Sequence, residues 1–458
     1  MPGEERPVVV LGGGVSGLCT AWQLHRQGVP VLVLEAKAIP GGVISSLREG
    51  DWLRETGPNT LFESTPQIRA FVQDLGLEDR RLVASPSAQK RYVVRGGRTV
   101  ALPATPVQFA ASSLLSWPAK LRLLGEPFRA RAPRDHEESV AEFVRRRLGP
   151  EFLDYIVNPF VAGIYAGDPG ELSVRQAFPK LHALEQEHGS MVRGSLARRN
   201  ASGGPKGAMI SFPDGLSEIP EALAHALGHS LRLEHTVTAL TRHSAGWRVC
   251  YDHRGERGEL EAAAIVCTLP PEKLAELGWA DAPTATALGE LRAVHQPPVA
   301  SVFLGYKREE VAHPLDGFGM LTPAVEQRKI LGTLFSSTLF PGRAPAGHVA
   351  LTTFVGGVRQ PEYARLQDRE LLDLVQGELG ALLGARGWPV YARVTRWPRA
   401  IPQYAVGYQR FKDACREAER SAPGLFIGGT ACDGVSLANC IAAGQRLSGV
   451  VEQYLTPV

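Results

Sequence analysis

Three observations predict an α/β fold, α+β overall. Residues 8–18, Val-Val-Val-Leu-Gly-Gly-Gly-Val-Ser-Gly-Leu, form an apolar strand that enters a glycine turn and then a helix. Residues 31–35, Val-Leu-Val-Leu-Glu, form a second strand that ends in an acid. Near the other end, Leu425-Phe-Ile-Gly-Gly-Thr begins a further strand and glycine turn, followed by a helix from about 435 to 455. The first two belong together: strand, G-x-G-x-x-G, helix, and a second strand with a terminal acid make a Rossmann-type dinucleotide-binding unit.

Within that unit each residue type has a task. Gly12 permits the tight turn, Gly14 lets the backbone approach a pyrophosphate, and Gly17 lets helix and strand pack closely. Gly13, Val15 and Ser16 complete the loop and the first helical turn, whose unpaired N–H groups and positive dipole end face the phosphates. Glu35, with Ala36 after it, stands where a carboxylate accepts from a ribose hydroxyl.

Further along, Thr65-Pro66 to Gly76 reads as a helix with proline in its first turn and glycine at its end. Residues 90–103 read as a hairpin turning at Arg95-Gly-Gly-Arg98. Helical patterns fill 104–200, near 107–115, 118–126, 138–148, 151–158, 173–184 and 189–199. Extended patterns return at 231–266, with Trp247-Arg-Val-Cys-Tyr251 as one strand. Strand-rich sequence at 299–355, a helix near 368–384 and a strand near 391–397 make a second sheet.

Composition narrows the function classes. With 458 residues, 44% hydrophobic and 21% charged, the chain is globular and long enough for two or three domains. A formal charge of +3, with no zinc finger, helix–turn–helix or RNA motif, gives no reason to expect nucleic acid. Six cysteines without a C-x-x-C pair suit a reducing compartment, and the histidines lack metal-ligand spacing, so no metal is expected. Met1-Pro-Gly-Glu-Glu-Arg-Pro has neither the basic nor the apolar region of a signal peptide, and nothing approaches 18 uninterrupted apolar residues. A cytoplasmic protein is expected.

Past Glu35 come Pro40-Gly-Gly42 and Glu55-Thr-Gly57-Pro58-Asn59-Thr60, and the C-terminal run continues Gly429-Thr430-Ala-Cys-Asp-Gly-Val435-Ser436-Leu437. With the N-terminal motif and the acid, these resemble the flavoprotein superfamily of amine oxidases, phytoene desaturases and protoporphyrinogen oxidases. The middle of the chain narrows the resemblance to the protoporphyrinogen oxidases: Asn158-Pro-Phe-Val-Ala-Gly-Ile-Tyr, Gly317-Phe-Gly-Met-Leu-Thr-Pro, Leu331-Gly-Thr-Leu-Phe-Ser-Ser, Phe340-Pro-Gly-Arg-Ala-Pro, Thr353-Phe-Val-Gly-Gly and Trp397-Pro-Arg-Ala-Ile-Pro-Gln-Tyr. The blocks keep the family's order over nearly the whole chain.

The resemblance implies FAD, bound by Gly42, Gly57, Pro58, Asn59, Thr60, Val237, Thr430, Val435, Ser436 and Leu437 as well as by the N-terminal loop. A second helix N-terminus at Val435–Leu437 would stabilise negative charge on a reduced isoalloxazine, and Val237 would face the adenine region. The implied division is an FAD-binding domain in three parts, 1–84, 205–290 and 405–458, a helical insert at 85–204 and a substrate-binding sheet at 291–404 that roofs the flavin.

The implied substrate is a porphyrinogen, oxidised in three two-electron steps with oxygen restoring the flavin. Arg91 aligns with a propionate-binding arginine, and Leu321, Leu334 and Phe354 with residues that clamp the macrocycle. Gly163, beside Ala162, would let the ring edge approach the backbone. No side chain is nominated as catalytic acid or base. Asp168 and Glu185 are other charges near the expected mouth, and each reads more readily as a solvated helix charge. Phe109 to Trp117, followed by Lys120, Arg122, Arg129, Arg131 and Arg134, reads either as a helix at a membrane interface or as a core-facing helix with a basic rim. Rival substrates and roles stay open: coproporphyrinogen III with four carboxylates, another flavin desaturase or amine oxidase, or a non-catalytic flavin protein. A homodimer is a further open expectation.

Overall fold

The computed structural model describes residues 6–133, 136–201, 207–244 and 246–456. Its central layer is a parallel sheet with strand order Leu231–Arg232, Val31–Leu34, Val8–Leu11, Ala264–Cys267 and Leu425–Ile427. The continuous apolar runs of the three inner strands are buried throughout, as a parallel sheet covered on both faces requires. One face carries the helices Val15–Arg26 and Leu437–Leu455, the other the helices Ala282–Gly289 and Gln409–Ser421. The sheet is therefore doubly wound, and it draws strands from the beginning, the middle and the end of the chain.

A second, seven-stranded sheet runs Tyr391–Trp397, Val299–Lys307, His348–Gly356, Gly332–Leu334, Gly317–Leu321, Lys90–Arg95 and Arg98–Ala101. The hairpin at 90–101 lies in this sheet although it falls inside the 85–204 segment assigned above to the helical insert. The Lys90–Arg95 strand pairs in parallel with Gly317–Leu321, which fixes it there. The helix Asp368–Leu383 buries Leu371, Val375 and Leu379 against the back of the sheet, on Val302, Leu304 and Met320.

The helical segments form close to where the pattern puts them. The first stops at Ala111, and the 151–158 segment continues through a π-helical turn, Leu153–Val157, into Asn158–Tyr165. A π turn before Pro159 absorbs the hydrogen bond that proline cannot donate. The helices Glu218–Leu227, Pro271–Glu276, Ala282–Gly289 and Gln409–Ser421 are among those with no counterpart in the sequence reading.

Glu185 corrects an expectation. It is neither solvated nor at a mouth but fully buried, with Oε1 accepting from Arg146 Nη1 at 2.8 Å and lying 3.2 Å from Arg147 Nη1. Its partners come from the helix Val140–Arg147, and Glu126 and Glu138 complete the buried network. Lys120 departs similarly from the basic rim: it is buried and donates to the carbonyls of Ala110 and Ser112 at 2.8 and 2.7 Å. Arg134 and the 204/205 boundary lie outside the described residues. Val107, Trp117, Leu121, Leu124 and Phe128 are between 63 and 85% exposed, an apolar face that the core does not use.

Candidate active site

Gly12 turns the chain at φ +102°, and Gly14 is the N-cap of the helix Val15–Arg26 without any capping side chain. The first-turn N–H groups of that helix have no intrahelical acceptor. Gly17 is held by contact: a Cβ there would stand 2.1 Å from the Gly12 carbonyl oxygen. A Cβ on Gly14 would meet nothing within 4 Å, so the loop presents bare backbone to open space. Glu35 is buried at the tip of its strand, accepting from the Gly13 N–H at 2.6 Å and the Lys37 N–H at 2.8 Å. A bare glycine loop, a free helix N-terminus and a fixed carboxylate fit a dinucleotide's pyrophosphate and ribose.

Three more segments converge on this loop. The Gly41 N–H donates to the Gly13 carbonyl at 2.7 Å, and a Cβ on Gly42 would approach the Gly14 Cα to 3.1 Å. Thr268, just past the strand Ala264–Cys267, donates from its hydroxyl to the Leu11 carbonyl at 3.1 Å. Gly429, at φ +81°, is so placed that a Cβ would lie 3.7 Å from the Ser16 hydroxyl, which sets Thr430 beside the N-terminal loop. Ser436 caps the helix Leu437–Leu455, its hydroxyl accepting from the Asn439 N–H. Val435 and Leu437 flank that cap.

The remaining cofactor candidates lie on connected backbone. The His235 N–H donates to the Glu35 carbonyl at 2.8 Å, and Val237 follows two residues later on the strand His235–His243. Ala36 is exposed next to Glu35. Gly57 packs so tightly that a Cβ would sit 2.1 Å from the Val43 carbonyl oxygen. Its loop is held by the Trp397 indole, which donates to the Thr56 carbonyl at 2.9 Å, and by Asn59, which donates to the Gly57 carbonyl. Pro58 and Thr60 are half-buried on the same loop. Thr268 and the role of Trp397 were not read from the sequence, because each acts on a backbone group far away in the chain.

Register places three of the substrate candidates on one face of the seven-stranded sheet. Leu321 stands across from Gly332, which stands across from Phe354. Leu334 stands across from Thr352. Residues directly opposite or two apart share a face, so Leu321, Leu334 and Phe354 are neighbours, and all three are half-buried. The other half of that face is covered by the hairpin Ser46–Glu49 and Trp52–Glu55, whose Trp52 stacks on Tyr391 at 5.2 Å.

Gly163, exposed on the helix Asn158–Tyr165, abuts this group: a Cβ there would be 2.9 Å from Leu321 Cδ2. Ala162 packs with Ala166, Val299 and Leu331, against which Phe354 rests. Arg359 ties the start of this helix to the sheet, donating to Asn158 Oδ1 at 3.0 Å and to the Thr322 carbonyl at 2.8 Å. Burial holds its guanidinium down at about 10.

Arg91 is exposed near the start of the strand Lys90–Arg95, its guanidinium 5.1 Å from the centre of the Phe318 ring, and Phe318 packs in one cluster with Leu334. Asp168 is exposed and holds its own turn, accepting from the Gly170 N–H at 2.6 Å. Among the described residues no cluster of histidine, cysteine or acid suits a metal ion, and no helix is long and apolar enough to cross a membrane.

Comparison with known proteins places this geometry. The model of the flavin-containing amine oxidoreductase family matches residues 15–451. The chain is 33% identical over 478 residues to protoporphyrinogen oxidase 2, chloroplastic/mitochondrial, of Arabidopsis thaliana, covering 98% of this chain and 94% of that one. It is 27% identical to coproporphyrinogen III oxidase of Bacillus subtilis (strain 168), over 99% of this chain and 100% of that one. A crystal structure from Exiguobacterium sp. 255-15, provisionally assigned as a protoporphyrinogen oxidase, superposes with a TM-score of 0.83 at 23% identity, covering 98% and 99% of the two chains.

Proposed function

This chain belongs to the flavin-containing amine oxidoreductases, and on that premise we propose that it oxidises protoporphyrinogen IX to protoporphyrin IX, with molecular oxygen as acceptor and hydrogen peroxide as product, in haem synthesis. It is an oxidoreductase, and its cofactor is FAD. The observation that carries the substrate reading is the half-buried trio Leu321, Leu334 and Phe354 on one sheet face, with Gly163 clearing space beside it. A flat, apolar macrocycle needs such a surface, and an aromatic side chain on it can stack on a pyrrole.

When bound, FAD supplies a two-electron acceptor, and the chain's own residues hold and orient both partners. Gly12–Gly17 and the helix after them take the pyrophosphate, and Glu35 takes the ribose. Gly42, Gly57–Thr60, Val237 and Thr430 would help hold the cofactor, and the helix N-terminus at Val435–Leu437 would stabilise the negative charge it gains on reduction. Arg91 binds a propionate, its guanidinium kept near the face by the Phe318 ring. The exposed apolar face from Val107 to Phe128, with Arg122, Arg129 and Arg131 beside it, is the surface we assign to peripheral contact with the inner face of the cell membrane, where so poorly soluble a substrate would collect.

Coproporphyrinogen III is the competing substrate. The higher identity to the plant protoporphyrinogen oxidases supports the two-carboxylate choice. An aerobic fluorescence assay of the FAD-loaded protein with both porphyrinogens in parallel decides it. Faster oxidation of protoporphyrinogen IX is expected, and faster oxidation of coproporphyrinogen III would overturn the choice. A rate that survives without oxygen when a quinone is added would replace the acceptor. Light scattering of the same sample tests a homodimer.

A further inference from the structure

Where the seven-stranded sheet meets the cofactor layer, one ionisable pair sits buried in the joint. Glu55 ends the strand Trp52–Glu55 and is buried, its carboxylate accepting from the Ser46 hydroxyl at 2.6 Å and the Leu216 N–H at 3.0 Å. Arg343 is 3% exposed, with Nη2 4.0 Å from Glu55 Oε1 and donating to Ser211 Oγ at 2.8 Å and the Phe212 carbonyl at 3.1 Å. Its Nη1 is buried with no hydrogen-bond partner among the described residues. Two ionisable groups so deeply buried, with one N–H unanswered, call for something between them.

A cavity adjoins both groups, leaving about 10 Å³ for the centre of a water molecule. That is room for one water. Asn59, Phe303, Ser336 and Thr352 also line it, and Glu55 is its one carboxylate. The Ser336 and Thr352 hydroxyls are 2.7 Å apart, and Thr352 stands directly across from Leu334 on the face read above as the substrate's. Asn59 belongs to the loop read as the cofactor's. The cavity therefore borders both layers.

We propose that Glu55, seated by Arg343 and reached through one enclosed water and the Ser336 and Thr352 hydroxyls, is the internal proton acceptor for the oxidation carried out on this face. The proposal rests on the porphyrinogen reading. Over the three two-electron oxidations four meso C–H and two pyrrole N–H bonds break. Each step sends one meso C–H hydrogen with its electron pair to the two-electron acceptor that FAD would supply and releases one proton, from a pyrrole N–H in two steps and from a meso carbon in the third, and that proton needs a base. The Glu55 carboxylate takes that proton, becomes a carboxylic acid, and returns it to solvent before the next step.

The electrostatics suit a group that changes state. Burial pushes the Glu55 carboxyl up to about 7 against the pull of Arg343, and burial holds the Arg343 guanidinium below its usual range. The other charges facing the pair are Arg48, Asp214 and Glu218. They are matched among themselves and with Arg80: Arg48 to Asp214 at 3.0 Å, Arg80 to Asp214 at 2.9 Å, and Arg80 to Glu218. None of them answers the Arg343 Nη1.

The test compares the FAD-loaded wild type with Glu55→Gln and Ser336→Ala, using bound-flavin absorbance to confirm folding. By infrared spectroscopy without substrate, the wild type is expected to show a buried carboxylic-acid carbonyl band that fades as pH rises through about 7, and Glu55→Gln to lack it. With protoporphyrinogen IX, Glu55→Gln is expected to lose ~10- to 100-fold in kcat, with KM within about twofold and the pH inflection gone. Ser336→Ala should lower kcat while keeping the band, and it carries the test if Glu55→Gln does not hold flavin. An unchanged kcat and pH profile in Glu55→Gln, or no titrating band in the wild type, overturns the proposal alone. A wild type that oxidises neither porphyrinogen overturns the functional reading, and the proton-acceptor role with it.

Discussion

Gly163 and Leu321 meet so closely that a Cβ on the glycine would lie 2.9 Å from the leucine's Cδ2. The glycine is in a helix, where alanine is the better residue by about 1 kcal/mol, so its absence of a side chain is explained by the contact and not by the backbone. Gly163→Ala is expected to hold or raise the melting temperature while pushing Leu321 into the substrate's space, raising KM several-fold. Thermal unfolding and steady-state kinetics on one preparation check both halves, and a fall in stability with unchanged KM would refute the account.

Arg91 is the cation placed to meet a propionate. Arg91→Ala should raise KM by ~10- to 100-fold, the loss of one charged hydrogen-bonded contact worth roughly 1.5–3 kcal/mol. FAD content should not change, because Arg91 lies in the seven-stranded sheet and not in the parallel sheet that carries the cofactor loop. Loss of flavin in this variant would assign the arginine to folding instead.

Gly17→Ala tests the cofactor loop. The added methyl would stand 2.1 Å from the Gly12 carbonyl oxygen and 2.7 Å from the Thr268 hydroxyl, so backbone must move. Overpacking of this kind costs about 1–3 kcal/mol or more, and here it displaces the loop itself. The purified variant should be colourless or nearly so, measured as flavin absorbance per protein.

Glu55 also predicts a pH dependence of stability. Its folded value, about 7, is above the ordinary 4.5, so the folded state binds the extra proton. Its contribution is fully present below about pH 4.5 and lost as pH rises through about 7, on the order of 3 kcal/mol in all. Denaturant unfolding from pH 5 to 8 should show Glu55→Gln losing less stability than the wild type. Parallel curves would mean that the carboxyl is not raised.

Trp117, Leu124 and Phe128 carry the expected membrane contact. Changing all three to serine should weaken sedimentation with anionic vesicles at least ~10-fold, leaving turnover in detergent unchanged. Equal sedimentation of the two proteins would leave that face with no membrane role.

What the sequence disclosed was local. Gly12 to Gly17 and the Ser436 cap are readable because turn, cap and helix follow one another within a few residues. The strands 8–11, 31–34 and 425–427 are readable because both faces are covered and the runs are wholly apolar. Glu185 and Lys120 misled because their partners, Arg146 on another helix and the carbonyls of Ala110 and Ser112, depend on how helices pack. The helix Gln409–Ser421 is mostly polar, and only Phe411, Ala414, Cys415 and Ala418 show its buried stripe. Glu55 and Arg343 each stand in a block that carries the resemblance, but nothing local pairs them, since only the docking of the two layers brings them together.

The parallel sheet takes its strands from the start, the middle and the end of the chain, which orders events during synthesis. Val8–Leu11 and Val31–Leu34 leave the ribosome first, yet their neighbour Ala264–Cys267 follows hundreds of residues later, and Leu425–Ile427 comes later still. Until then the nascent sheet has an open edge, the state most prone to pair with a wrong strand. The helices and the second sheet are emitted in between and can collapse on their own cores. Closing loops of that length is slow. The dinucleotide cradle is thus the first part of the molecule to be made and the last to be finished.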